Sequence, residues 1–461
     1  MNRKRFEYRF ADDGRSIAGR DTNHEEIARH YQVNDEPGAK SLGAVLEPLY
    51  ADLVDVSVAV YMADRISLRS ANPDEWRREI TLRLPVRCVN QWRRPEVLEA
   101  LEAYLTFLTQ EKYEFDFFER QADGRASERQ QFLPLAAKGA PLSVSLFSGG
   151  LDSYAGTAAW IAANREQHFV CVSNSPNRRQ EAHQKRQLAT LKDSLRPLSL
   201  TGVRIQTTLS DSVETRQEQT RRTRGFLFLS LGAAAALAID CHRLVVFENG
   251  VGAINLPYER VPAGVPNSRA VHPRSLLLFA RLIRVLTESE FSVDNPCAYL
   301  TKAEMCLHSS VQALRGSVSD TFSCDGFPVR RRQTPQCGVC TSCILRRLAL
   351  FNAGLGDTDS SSYCLDLLAS AETVNPPRLR GLHAMDWQVE RLEHALGQQA
   401  DWEGLVIEFP EIREACAALM TVRNESELVA IPQLGRLFSK HCSEWESFPV
   451  QRWIRRLSEA A

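Results

Sequence analysis

Apolar and polar positions change period several times along the chain, and each period predicts a different element. Residues 1–40 are polar and irregular, broken by Asp12-Asp13-Gly14 and Asp35-Glu36-Pro37-Gly38, and read as a loose arm. Residues 53–61 mix alternation with branched side chains, which predicts a strand. Residues 80–86 alternate cleanly, as a strand with one wet face does. Arg94-Pro95 then opens a helix over 96–109, with Leu98, Leu101, Leu105 and Leu108 on one face. Residues 113–117 alternate again. Residues from about 40 to 120 therefore make an α+β unit, in which no catalytic constellation stands out. The polar, Gly/Ala-containing stretch 121–140 reads as a linker.

From Leu142 the order becomes strand, helix, strand, helix, which predicts a parallel sheet. Strands are expected at 142–147, 168–173, 203–208 and 244–247. Helices are expected at 154–164 and 178–195, with a third inside 217–240 whose later half is wholly apolar and so buried. The Gly/Pro-rich stretch 251–274 predicts a loop over the carboxyl ends of these strands. A helix follows at 275–286, and Thr301 with Glu304 forms a capping box for another. Amphipathic helices at 385–396, 411–422 and 431–441 complete a C-terminal helical region. The expected divisions are 1–140, 141–375 and 376–461.

Composition narrows the function classes. The formal net charge of -1 provides no global field for nucleic acid or an anionic membrane. The most apolar run, 226–239, is shorter than the roughly 20 residues a membrane helix needs. The basic start, Met1-Asn2-Arg3-Lys4-Arg5-Phe6, has no apolar run after it and does not read as a signal peptide. A cytoplasmic protein is expected, whose 12 cysteines are not structural disulfides.

Two motifs carry chemistry. The first is Ser148-Gly149-Gly150-Leu151-Asp152-Ser153, set between a strand and a helix. Two glycines let the backbone approach an anion, and the helix start offers unpaired N–H groups. Ser148 and Ser153 add hydroxyls, and Asp152 suits a Mg²⁺ that bridges phosphate oxygens. The lysine of a Walker A loop is missing. Glu248 and Asn249 end a later strand, at the sheet edge where α/β proteins bind ligands. The second motif is Cys324, Cys337, Cys340 and Cys343, spaced C-x₁₂-C-x₂-C-x₂-C, with Gly338 in the knuckle. Four thiolates make a closed tetrahedral Zn²⁺ site, whose saturation points to a structural role. An iron–sulfur cluster is the competitor, but Arg347 stands where a ferredoxin-type motif needs its fourth cysteine. Arg346 and Arg347 are expected to offset part of the thiolate charge.

The first motif looks like the S-G-G-x-D-S loop of PP-loop ATP pyrophosphatases. Together with the cysteine set it resembles the QueC family, the 7-cyano-7-deazaguanine synthases. Thr301-Lys302-Ala303-Glu304, Thr321-Phe322-Ser323-Cys324, Cys337-Gly338-Val339-Cys340-Thr341-Ser342-Cys343, Arg346 and Gly354-Leu355-Gly356-Asp357 match further family segments. Arg224 resembles an arginine that precedes a family helix, and Glu248-Asn249-Gly250 sits where that family has a nucleotide-site turn. The likeness covers about 142–360. It implies an adenine nucleotide alpha hydrolase-like α/β fold with a four-cysteine zinc segment, flanked here by an N-terminal α+β unit and the C-terminal helices. It implies ATP, Mg²⁺ and Zn²⁺, and adenylation of a 7-deazaguanine carboxylate that a nitrogen nucleophile then attacks. Asp152, Lys302 and Arg224 become the expected catalytic residues, and Ser148 to Ser153, Glu248 and Asn249 the nucleotide site.

The departures bear on the acceptor. Residues 175–184 only loosely follow the family's substrate segment, and the chain carries extensions on both sides. The longer QatC type of bacterial anti-phage gene clusters is similar in this layout. There the resemblance implies a partner-protein amine in place of ammonia. Two alternatives stand beside this reading. One is a zinc-ribbon nucleic-acid binder using Arg221, Arg222, Arg224 and Arg330 to Arg332; the other is a PP-loop tRNA thiolase, which needs a catalytic cysteine near the nucleotide.

Overall fold

The computed structural model describes residues 4–21, 23, 25–69, 77–130, 142–175, 177–210, 217–218, 222–258, 268–326, 336–370, 379–397 and 402–450. Ten strands among these form one sheet: β1 (Lys4–Phe10), β2 (Ser16–Asp21), β3 (Glu26–Asn34), β4 (Arg78–Val86), β5 (Lys112–Glu119), β6 (Leu142–Leu146), β7 (His168–Asn174), β8 (Ser199–Ser210), β9 (Arg243–Val245) and β10 (Ser292–Asp294). Their order is β10-β9-β6-β7-β8-β3-β2-β1-β4-β5. The five strands from β10 to β8 run parallel, as the strand–helix alternation predicts. β3 then joins β8 antiparallel.

The register of that junction places the N-terminal strands. β7 ends with Asn174 opposite Ile205, whereas β3 pairs with β8 from Gln206 to Ser210. β3 is therefore held by the part of β8 that runs past the end of β7. The N-terminal half of the sheet stands on the carboxyl side of the parallel strands, the side where an α/β sheet binds ligands.

Three expectations fail here. Residues 1–40 are not a loose arm, because β1, β2 and β3 lie in them. Phe6, Tyr8 and Phe10 are buried while Arg5, Glu7 and Arg9 face solvent. An antiparallel strand with one wet face needs only every second residue to be apolar, so its composition reads as polar. Residues 53–61 are not a strand but part of the helix Pro48–Ile66, in which Val54, Val56, Val58 and Val60 are all buried. A helix buried on all sides loses its 3.6-residue period, and its valines imitate a strand. The expected linker is partly structured: Ala126–Arg129 is helical, Ser127 is buried, and Arg125 pairs with Asp35 at 2.9 Å. Residues 131–141 lie outside the described part.

The helices 178–195, 275–286 and 411–422 appear close to their expected bounds, as Arg178–Leu195, Pro273–Thr287 and Glu411–Arg423, while those expected at 385–396 and 431–441 are longer at both ends, as Arg380–Gly397 and Glu427–Ser447. One apolar core joins the N-terminal strands and the helix Pro48–Ile66 to the parallel strands through the helix Arg224–Leu237. Tyr104, Phe226 and Phe279 pack edge to face within it. The C-terminal helices enclose a second core around Leu434, Phe438 and Trp445. No helix among the described residues is long and apolar enough to cross a membrane.

Candidate active site

β6 ends at Leu146, and the helix Leu151–Ala163 begins directly after Gly150. The turn between them needs a left-handed residue, which Gly149 supplies at φ +83°. A Cβ there would also lie 3.0 Å from Gln187 Oε1. The loop carbonyls are tied to one side. Gln180 Nε2 and Gln184 Nε2 donate to Ser148 O at 2.8 and 3.0 Å, and Gln187 Nε2 donates to Gly149 O at 3.0 Å. With the carbonyls so held, the loop N–H groups find only long bonds to rotatable hydroxyls. Gly149 N donates to Ser153 Oγ at 3.2 Å, Gly150 N to Ser148 Oγ at 3.2 Å and Leu151 N to Ser323 Oγ at 3.3 Å. Phosphate oxygens are better acceptors than hydroxyls for such a set of donors.

Asp152, in the first turn of that helix, is the centre of a buried polar cluster. Lys302 Nζ lies 2.6 Å from Asp152 Oδ2. Asn249 Nδ2 donates to Asp152 Oδ1 at 3.0 Å and to Glu248 Oε1 at 3.0 Å. Asn249 is fixed in turn, because its Oδ1 caps Gly252 N at 2.9 Å. The segment before Gly250 is pinned by Asn295, whose Nδ2 donates to Glu248 O at 2.8 Å. Burial alone would lower the pKa of Lys302, but the carboxylates of Asp152 and Glu248 outweigh it and hold the pKa raised. Burial and the neighbouring Asp152 charge push Glu248 up to about 8. One ammonium serves two carboxyl groups, so the site has acidic oxygens to spare once Glu248 gives up its proton. That donor set suits a divalent cation.

The four cysteines come together as their spacing predicts. Their Sγ atoms all lie within 4.8 Å of one another, a thiolate set that fits zinc. Gly338 takes φ +84° in the knuckle, and a Cβ on it would meet Leu365 O at 2.0 Å. The arginines do not offset the thiolates, contrary to expectation. Arg346 is buried and donates to Asp359 Oδ1 and Val318 O, while Arg347 pairs with Asp366 and stacks on Tyr363. Backbone N–H groups serve instead: Gly326 and Cys337 donate to Cys324 Sγ, and Val339 and Cys340 to Cys337 Sγ, at 3.3–3.4 Å. The helix Thr341–Asn352 starts at the cluster and points its positive end there. The segment also reaches the loop, since Phe322 N donates to Gly149 O at 3.0 Å.

The family model for the queuosine biosynthesis protein QueC matches residues 142–354, which contain the loop, the Asp152 cluster and the four cysteines. The 7-cyano-7-deazaguanine synthase of Novosphingobium aromaticivorans is 30% identical over 242 residues, 48% of this chain and 94% of that protein. The chain belongs to the QueC family. The 7-cyano-7-deazaguanine synthase of Nitrosococcus oceani is 26% identical over 235 residues, 47% of this chain and 97% of that protein. No solved structure matches.

Of the other expected residues, Arg224 opens the helix Arg224–Leu237, and its guanidinium lies over Phe228. Phe228 lines a slit with Ser148, Ser173 and Asn174, so Arg224 stands one turn from the loop's rim. Burial lowers its pKa, against the raising effect of Tyr61 and Asp325. The residue before it is anchored from the N-terminal extension. Thr223 Oγ1 donates to Asp64 Oδ2 at 2.8 Å, and Asp64 pairs with the buried Arg78, which also binds Glu111. Arg222 is buried and donates to Thr109 O. Arg221 and Arg330 to Arg332 lie outside the described residues. Sequence pattern alone does not assign the glutamine brace, although Gln180, Gln184 and Gln187 at i, i+4 and i+7 mark one helix face.

Proposed function

We propose that this QueC-family chain adenylates a 7-deazaguanine carboxylate with Mg-ATP and passes the acyl group to a nitrogen nucleophile. A carboxylate oxygen attacks the α-phosphorus and pyrophosphate leaves; the nitrogen then attacks the acyl carbon, AMP leaves with the bonding pair, and the amine proton goes to solvent. The observation that carries the reading is Asp152 held between Lys302 and Asn249 at the start of the loop helix. The loop N–H groups would bind the departing pyrophosphate. Lys302 and Arg224 would balance its charge, which is electrostatic work done by groups already in place. Asp152 and Glu248 would hold the Mg²⁺, which supplies charge neutralisation. Zinc on Cys324, Cys337, Cys340 and Cys343 would keep the Phe322–Ser323 edge against the loop.

The acceptor we favour is an amine on a partner protein from the same gene cluster, in a cytoplasmic anti-phage role. Two features support a macromolecular acceptor. The N-terminal strands rise on the ligand side of the sheet. A cavity of about 430 Å³ among them, lined by arginines and acids in equal number, Arg15, Arg125, Asp35 and Asp123 among them, has room for a chain end. The thiolase alternative loses ground, because burial, with the Asp152 charge adding to it, pushes Cys297 and Cys306 up to about 12.

The test is pyrophosphate exchange into ATP that depends on 7-carboxy-7-deazaguanine. Asp152→Asn keeps the side-chain volume but removes the charge, and should lower exchange by about a hundredfold with zinc content unchanged. Exchange near the wild-type rate would remove Asp152 from the site. Asp152→Ala is the poorer probe, since it also leaves Lys302 and Asn249 without any oxygen to bond and opens a cavity.

A further inference from the structure

Lys302 is gripped from outside the segment that matches the family. Thr301 caps its helix: Thr301 Oγ1 accepts from Glu304 N at 3.1 Å, and Glu304 Oε2 accepts from Thr301 N at 2.8 Å. That box leaves the Thr301 hydroxyl hydrogen unused, and it goes to Glu444 Oε1 at 2.7 Å. Glu444 lies on the helix Glu427–Ser447, beyond residue 354 where the family match ends. The same helix places Arg436 Nη1 2.6 Å from Glu304 Oε1 and Arg436 Nη2 2.5 Å from Tyr299 O. Glu444 is itself fixed, since its backbone carbonyl accepts from Asn352 Nδ2 at 3.0 Å.

Glu444 is only 3% exposed, on a helix whose buried face is mostly apolar, with Leu434, Leu437, Phe438 and Trp445 beside His441. A carboxyl in such a place is costly unless it is bonded. Packing would be served as well by leucine. Its one side-chain hydrogen bond among the described residues goes to the residue directly before Lys302. We infer that Glu444 is a positioning residue for Lys302. By holding the Thr301 hydroxyl it sets the orientation of the first helical turn, and so the direction in which the Lys302 ammonium points. The C-terminal helices are on this account part of the active site. The inference rests on the proposed role of Lys302 in the reaction, but its geometry does not.

Two readouts on the full chain separate the two. The first is substrate-dependent pyrophosphate exchange. Glu444→Leu should lower kcat about tenfold while KM for ATP moves less than about threefold, and Glu444→Gln, which keeps an acceptor oxygen, should restore kcat to within about threefold. In a Lys302→Ala background, Glu444→Leu should add no further loss. The second is the rate at which an amine-acylating reagent labels Lys302, read by peptide mass spectrometry without substrate. Labelling should rise about tenfold in Glu444→Leu and stay at the wild-type rate in Glu444→Gln. Thr301→Val removes the same bond from the other side, and decides the matter if Glu444→Leu does not fold. If the wild type shows no exchange yet labelling responds, the positioning role holds and the proposed reaction falls. Unchanged labelling in both Glu444→Leu and Thr301→Val, or a loss that persists in the Lys302→Ala background, overturns the inference.

Discussion

A lysine buried beside two carboxylates is held by charge, whereas a histidine buried among arginines is held by the absence of charge. His272 illustrates the second case. It is 2% exposed, packs against Phe107, and caps the helix Pro273–Thr287 by accepting from Arg274 N at 3.1 Å. Burial, with Arg269 and Arg274 adding to it, pushes its pKa down to about 3. The unfolded chain binds this proton near pH 6.5 and the folded chain does not. The contribution is therefore fully present above about pH 6.5 and is lost as pH falls toward 3. Between pH 7 and 5 it should remove about 2 kcal/mol of stability. His272→Asn keeps an acceptor at the cap and cannot titrate. Its unfolding free energy should fall by about that much less over the same range, and a slope equal to wild type would contradict the assignment. Arg269 and Arg274 stand beside His272 in the sequence, but the burial that dominates the shift, with Phe107 packed against the ring, comes only with the fold.

The glycine turn after β6 and the meeting of the cysteines were legible in the sequence because each is mostly local: the turn glycines and three of the four cysteines lie within a few residues, and only Cys324 comes from further off. The capping box at Thr301 was legible for the same reason. The helix Pro48–Ile66 was not, since burial on every side erased its period. Nor was the Arg78, Asp64 and Glu111 network, whose members come from a strand, a helix and a turn far apart in the chain. The cysteine segment carries its own prediction. It touches the loop through Phe322 N and Ser323 Oγ, so metal loss should be felt at the nucleotide. The purified protein should contain one zinc per chain, without iron or visible absorbance. Cys340→Ser should lose that zinc, lower the thermal midpoint and reduce exchange about tenfold or more. A soluble, fully active, metal-free variant would refute the structural role.

In the whole molecule the family segment is enclosed by its extensions. The N-terminal strands continue its sheet and share its core, and their buried ion network holds Thr223 beside Arg224. The C-terminal helices hold Thr301 beside Lys302. The two cations assigned to phosphate are thus each adjacent to a residue anchored by an extension. The sequence marked the extensions by their different periods, but could not show that they reach the site, because every one of these contacts joins distant positions. Adenylation of a deazaguanine acid can be read by mass spectrometry of the full chain incubated with Mg-ATP and 7-carboxy-7-deazaguanine, alone, with ammonia, and with the proteins encoded beside it. The account predicts AMP and pyrophosphate that depend on the acid, and a deazaguanine mass increment on a neighbouring protein. A free amide or nitrile would keep the adenylation and replace the acceptor with ammonia. ATP left intact under every condition would contradict the account.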